Sequence, residues 1–302
     1  MRVIRLFVYF LMAVASVAVG AQEPLLVSAD TLPATKSVLV FGQKIVYYEL
    51  GAGPTLVLVH GFASQANFDW GNVMVPLAEH YHVIAMDQIG FGASVKPVVD
   101  YSIQTYVDFL GEFVRELGVK RFTLVGESLG GWIAAAYTIQ ALAPGNRGEY
   151  ALAVPERLIL EDAAGHSWTG GAGGGSMAIP IAGSLKEAEG VAIVFHDKSR
   201  VTEAFVRENF ARKLAAGDGG TERSLWGNPK LKSELVGDEL GQITIPTLVV
   251  WGGDDEIVPL AEGRDYAAKI AGAKLVIVPE CGHAPSIEKP AAFLAAVEAF
   301  AR

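Results

Sequence analysis

The stretch FTLVGESLGGWIAAAYTIQAL, Phe122 to Leu142, changes character at its middle. FTLV is a short apolar run of strand length. Leu129 to Leu142 is a long apolar run of helical length that stops before Pro144. Between them stands Gly126-Glu127-Ser128-Leu129-Gly130, a G-x-S-x-G pattern in strand-to-helix context. Such a turn is too sharp for side chains at the flanking positions, hence the glycines. It lifts the serine hydroxyl clear of the sheet and sets it at a helix N-terminus, where the dipole favours negative charge. The bare pattern recurs by chance. With strand and helix both present, Ser128 reads as a nucleophile rather than part of a structural tight turn.

The same strand character recurs on either side. Thr55 to Val59, His82 to Met86, Leu158 to Leu160, Thr247 to Trp251 and Leu275 to Val278 are short apolar runs, expected for strands buried on both faces. Val38 to Leu50 reads as a β-hairpin turning at Phe41-Gly42-Gln43. Helical patterns lie between the strands. Ser102 can cap a helix with Tyr106, Phe109, Leu110, Phe113, Val114 and Leu117 on one face, ended by Gly118. Leu260 to Ile270 and Pro290 to Phe300 are two more. Short buried strands alternating with helices predict an α/β fold with a mostly parallel central sheet flanked by helices.

Residues 163–245 break this rhythm. A glycine-rich lead is followed by helical stretches near Leu185 to Phe195, Thr202 to Ala216 and Thr221 to Leu235. This predicts a helical cap, or lid, inserted at 163–245 into a core made of 22–162 and 246–302. Met177, Ile179 and Ile181 would suit an interfacial lid or simply its core.

The chain opens with Arg2 and Arg5, an uncharged run from Leu6 to Val19, and the small residues Val19-Gly20-Ala21. That is the layout of a signal peptide, 1–21, cleaved after Ala21. The run is shorter than the ~20 residues that span a bilayer, so no stable membrane anchor is expected after cleavage. The protein is expected to be exported, periplasmic or secreted. With Lys+Arg 24, Asp+Glu 33 and a formal charge of −9, nucleic acid is an unsuitable partner. Cys281 is the lone cysteine, so an intrachain disulfide and multi-cysteine zinc sites are excluded.

A serine needs a base, and the base an orienting carboxylate, in the chain order Ser, Asp or Glu, His for this turn. LVVWGGDDEIVP places Asp254 and Asp255 after one strand; LVIVPECGHAP places His283 after the last. Both fall on the strand C-terminal edge that also carries Ser128, where ligand chemistry collects in open α/β sheets. His80 and His82 flank a strand start and read as surface residues. His166 and His196 are polar residues near the lid. Cys281 reads as a small packing residue.

HGF at His60 to Phe62, DQIGFGAS at Asp87 to Ser94, GESLGG, WGGDDEIVP and GHAP at Gly282 to Pro285 together resemble the α/β-hydrolase superfamily, over nearly all of the chain after the leader. The resemblance implies Ser128 as nucleophile, His283 as base and Asp255 as acid, because the family aspartate stands four residues before the proline, here Pro259. Asp254 is then a loop carboxylate. Some members of the superfamily carry the acid after an earlier strand, which implies Glu161 or Asp162, after LIL, as alternatives. It also implies an oxyanion hole made by the backbone amides of Phe62 and Leu129, with His60 bracing that loop. No metal or organic cofactor is called for.

Within that superfamily, Ser128 argues against haloalkane dehalogenases and epoxide hydrolases, which use aspartate. The expected reaction is hydrolysis of a small-molecule carboxylic ester, with an apolar portion, through an acyl-serine. C–C bond hydrolases of aromatic ring-cleavage products keep the serine, but usually show HGxGPG and an asparagine before the nucleophile, where this chain has HGFASQ and Glu127. Cofactor-free perhydrolases share the triad. A lipase, or a non-catalytic ligand-binding module on the same fold, are further readings.

Overall fold

The computed structural model describes residues 25–168 and 182–301. The strands are β1 (Lys36–Val40), β2 (Gln43–Leu50), β3 (Thr55–Val59), β4 (His82–Met86), β5 (Thr123–Glu127), β6 (Arg157–Glu161), β7 (Thr247–Gly252) and β8 (Lys274–Val278). They form one sheet in the order β1-β2-β4-β3-β5-β6-β7-β8. β1 and β2 run antiparallel, as do β2 and β4; every later pairing is parallel. Phe41 (φ 50°) and Gly42 (φ 75°) make the two-residue hairpin turn, whose twist demands positive φ at both positions.

The helices are α1 (Ala66–Asp69), α2 (Gly71–Leu77), α3 (Ile103–Glu116), α4 (Leu129–Leu142), α5 (Leu185–Ala188), α6 (Glu203–Ala216), α7 (Gly219–Gly227), α8 (Leu260–Lys269), α9 (Pro285–Glu288) and α10 (Pro290–Ala301). Ser102 caps α3 by accepting from the Thr105 amide, and Gly118 (φ 67°) follows its end.

β3 to β7 are largely apolar because both faces are covered, whereas the edge strands β1 and β8 are partly exposed. Side chains alternate across a strand. Val57 and Val59 therefore enter one layer, with Tyr106 of α3, Trp132 of α4 and Tyr266 of α8. Leu56 and Leu58 enter the other, with Met74 of α2 and Phe293 of α10. This is the α/β-hydrolase architecture, with strand and core-helix positions close to those expected.

Three departures have local causes. α1 and α2 were not expected; they are short, and Pro76 inside α2 interrupts any helical reading. The stretch from Leu185 is α-helical only to Ala188, then tightens into a 3-10 turn at Glu189–Val194 containing Gly190 and β-branched residues. The stretch from Thr221 ends at Gly227, before Asn228-Pro229, and resumes as a 3-10 turn at Leu231–Glu234.

The segment between β6 and β7 is tied to the core by polar contacts. Trp132 Nε1 donates to the Glu234 carbonyl at 2.8 Å. The Glu234 carboxylate accepts from the Ile103 and Gln104 amides at the start of α3. Residues 1–21 and the apolar residues Met177, Ile179 and Ile181 lie outside the described residues. Among those described, no helix is long and apolar enough to cross a membrane.

Candidate active site

Ser128 joins β5 to α4 with φ 51° and ψ −114°, a conformation that an L-residue rarely adopts. Such strain costs of order 1–3 kcal/mol and persists only where surroundings fix it. Here the Ser128 amide donates to the Glu161 carbonyl (2.9 Å), and the Ser128 carbonyl accepts from the Ala164 amide (3.0 Å). A Cβ on Gly126 would lie 2.2 Å from the Gly130 carbonyl oxygen, so the motif glycine is required by close approach. β4 lies on one side of β3 and β5 on the other, which makes the β3–β5 junction the topological switch point. The turn carrying Ser128 and the His60–Phe62 loop emerge there side by side.

His283 reaches this point from the loop after β8. Its Nε2 lies 2.9 Å from Ser128 Oγ, and its Nδ1 lies 2.7 Å from Asp255 Oδ2. The other Asp255 oxygen accepts from the Ile257 amide (2.7 Å) and the Val258 amide (2.9 Å). That fixes the carboxylate, so Nδ1 carries the proton and Nε2 is left to accept from the serine hydroxyl. The His283 amide donates to the Val194 carbonyl at 2.7 Å. Glu288 accepts from the amides of Gly282, His196 and Asp197 and ties the two loops together.

The other acids sit elsewhere. Asp254 is half-exposed and pairs with His196 at 3.0 Å. Asp162 is fully buried, and its Oδ1 accepts from the Gly252 amide at 2.8 Å. Burial and the facing Asp255 carboxylate push its carboxyl well above the usual range. A protonated Asp162 can therefore act as a donor towards Asp255. Asp162, Asp255 and His283 bring ligand atoms within 4.8 Å of one another, but Nδ1 is already bonded to Asp255. Glu161 Oε1 accepts from the Ser286 amide, and burial raises its pKa to about 8.

His60 is buried and braces the loop. Its Nδ1–H donates to the Gly61 carbonyl (2.8 Å), and its Nε2 accepts from the Gln88 amide (3.0 Å). Asp69 of α1 accepts from the Gly61 amide (2.7 Å) and the Ser64 hydroxyl (2.5 Å). Phe62 packs edge-on against Trp226, with ring centroids 5.0 Å apart. Leu129 is the first residue of α4, so its amide has no intrahelical acceptor. Leu129 follows Ser128 at the start of α4, and Phe62 lines the same cavity as Ser128.

Ser128, His283 and Glu127 lie on the wall of a cavity of about 690 Å³. Its other walls come from the His60–Asp69 region and from the segment between β6 and β7, including Val191, Phe210 and Arg212. The lining is mostly apolar, and exposed Ile193 and Leu214 stand at its rim.

The remaining histidines lie off this wall. His166 faces Glu262 at 3.0 Å, and His80 is exposed. His82 departs from the surface position expected of it: it is partly buried, bonded to Glu49 and Thr55, because β4 starts against both. Cys281 is buried, with its thiol pushed up by burial, as suits a packing residue. The sequence reading missed Asp69 and gave Glu127 no role. A charged residue in a buried strand end was the available signal for Glu127; Asp69 had none, lying on a helix too short to show periodicity.

Fold and geometry define a member of a known class. Residues 56–297 match the alpha/beta hydrolase family model, and the chain belongs to that family. It is 31% identical over 271 residues to a 2-hydroxy-6-oxononadienedioate/2-hydroxy-6-oxononatrienedioate hydrolase of Cupriavidus pinatubonensis, covering 81% of this chain and 86% of that one. A meta-cleavage product hydrolase of Pseudomonas fluorescens IP01 superposes with TM-score 0.78 at 25% identity, covering 88% of this chain and 96% of the other. A bacterial membrane phospholipase A superposes with TM-score 0.69 at 25% identity, covering 89% and 87%.

Proposed function

We propose that this hydrolase cleaves a small-molecule carboxylic ester through an acyl-serine. Ser128 attacks the ester carbonyl while His283 Nε2 takes its proton. Asp255 holds the imidazole tautomer and stabilises its cation. The amides of Phe62 and Leu129 receive the oxyanion. His283 returns the proton to the leaving alcohol, and water then releases the acid by the reverse sequence.

The observation that carries this reading is the continuous relay from Asp255 through His283 to Ser128, opening on a largely apolar cavity. The cavity suits an acyl or alcohol group with an apolar portion. The likeness to a phospholipase, an ester-cleaving enzyme, supports the reaction type. The test is hydrolysis of p-nitrophenyl esters from short to long acyl chains by the wild type and by Ser128→Ala. Serine-dependent turnover is expected, with a chain-length optimum that sizes the pocket.

A second reading, C–C bond hydrolysis of a ring-cleavage dienoate, is favoured by the names of the first two relatives. HGFASQ in place of HGxGPG and Glu127 in place of asparagine weigh against it. Loss of the dienoate chromophore without ester turnover would select it.

We also propose export, with residues 1–21 removed; the intact mass of protein recovered outside the cytoplasm tests it. A cap role for 163–245 is part of the same reading, since the described residues between Ala182 and Arg223 supply much of the cavity wall.

A further inference from the structure

Glu127 ends β5 between Gly126 and the serine, and no step above uses it. It is 5% exposed and lines the cavity. One carboxyl oxygen lies 3.5 Å from His283 Nε2. The other lies so close to Gly61 that a Cβ there would be 1.9 Å away. The Asp69 carboxylate meets the same residue, accepting from the Gly61 amide at 2.7 Å and from the Ser64 hydroxyl, so the two carboxyls converge on Gly61. Glu127 thus touches the serine turn, the base and the loop carrying the Phe62 amide.

Two buried carboxyl groups converging on one residue repel as two anions and are stabilised by sharing a proton. The groups facing Glu127 decide which state holds. Asp69 approaches from α1, Glu161 and Asp162 from the end of β6, and His283 from the loop after β8. Arg212 of α6 lines the same cavity as Asp69 and Glu127. Asp69 already accepts two donors that stabilise its anion, whereas burial and the surrounding carboxylates push Glu127 well above the usual range.

We propose that Glu127 is a positioning residue: as a neutral carboxylic acid it donates its proton to Asp69 and clamps the Gly61–Ser64 loop against the serine turn. Its catalytic consequence rests on the ester-hydrolase reading; the clamp itself does not. Ionisation of the pair at high pH would place two anions in contact and loosen the loop that supplies the oxyanion donor.

The test compares Glu127→Gln and Glu127→Leu. The glutamine amide can donate to Asp69 as the acid does; leucine cannot. Glu127→Leu is expected to lower kcat about tenfold with KM little changed, less than the ~10² lost on deleting an oxyanion donor outright. Glu127→Gln is expected to restore most of that loss and to abolish the alkaline fall of kcat. The acid limb stays in place. If Glu127→Leu fails to fold, the glutamine variant alone carries the pH comparison. Infrared difference spectra of wild type against Glu127→Gln need no turnover. A protonated-carboxyl band present only in the wild type supports the clamp, and its absence at neutral pH overturns it. A Glu127→Gln acid limb displaced to lower pH would also overturn it, marking Glu127 as an anionic partner of His283. Absence of serine-dependent ester turnover, with the infrared band present, would overturn the ester reading alone.

Discussion

Gly130 packs so tightly on Val59 that a Cβ at Gly130 would sit 2.1 Å from the Val59 carbonyl oxygen. The first turn of α4 therefore rests on the end of β3, and this backbone contact sets the distance between Ser128 and the His60–Phe62 loop. Gly130→Ala cannot be absorbed by a side-chain shift, because the obstacle is main chain. It is expected to destabilise by about 3 kcal/mol, the upper end for overpacking, and to reduce turnover in whatever folds. Urea unfolding beside the wild type measures the first effect; a loss below ~0.5 kcal/mol would mean that α4 can slide.

The strained backbone of Ser128 makes an opposite prediction. Ser128→Gly accepts φ 51° and ψ −114° without steric cost. It should remove the reaction and raise stability by about 1 kcal/mol, part of the strain such a conformation stores. Paired urea melts check this, and a less stable glycine variant would contradict it.

Asp255 and Asp162 separate by geometry. Asp255 holds the His283 tautomer, so Asp255→Asn is expected to lower kcat by about 10⁴. Both ring nitrogens of His283 are engaged by Asp255 and Ser128, not by Asp162, so Asp162→Asn should cost less than about tenfold, as a neutral amide can still donate to Asp255. Steady-state kinetics on one ester distinguish them. Equal losses would show that the pair acts as one acid.

The contrast between these two acids shows what a sequence discloses. Ser128, Asp255 and His283 were legible because each follows a recognisable strand in a short motif, and parallel strands bring their C-terminal ends to one edge. The buried acid cluster was not. Glu127, Asp69 and Asp162 matter through mutual distance and desolvation, and neither has a spacing in the chain. The region between β6 and β7 was legible as helical but not in its breaks, since Gly190 and Pro229 act against propensities that otherwise favour helix.

Glu161 gives a stability prediction with a definite sign. Its folded pKa is about 8 against about 4.3 for a free glutamate. Between those values the folded chain keeps a proton that the unfolded chain has lost. The stabilisation is full below pH ~4.3 and declines as pH rises towards 8, by up to ~1.4 kcal/mol per unit. Glu161→Gln removes this dependence while keeping an oxygen for the Ser286 amide. Urea unfolding at pH 5 and pH 8 should therefore show the variant gaining on the wild type at the higher pH. Parallel behaviour would mean that Glu161 is ionised in the folded chain.

The central claim, covalent catalysis by Ser128 on an ester, is tested most directly by trapping the intermediate. Rapid acid quench during turnover of a p-nitrophenyl ester, followed by peptide mass analysis, should find the acyl group on the peptide containing Ser128, with none in Ser128→Ala. Undiminished turnover by Ser128→Ala, or acylation at another residue, would contradict the account.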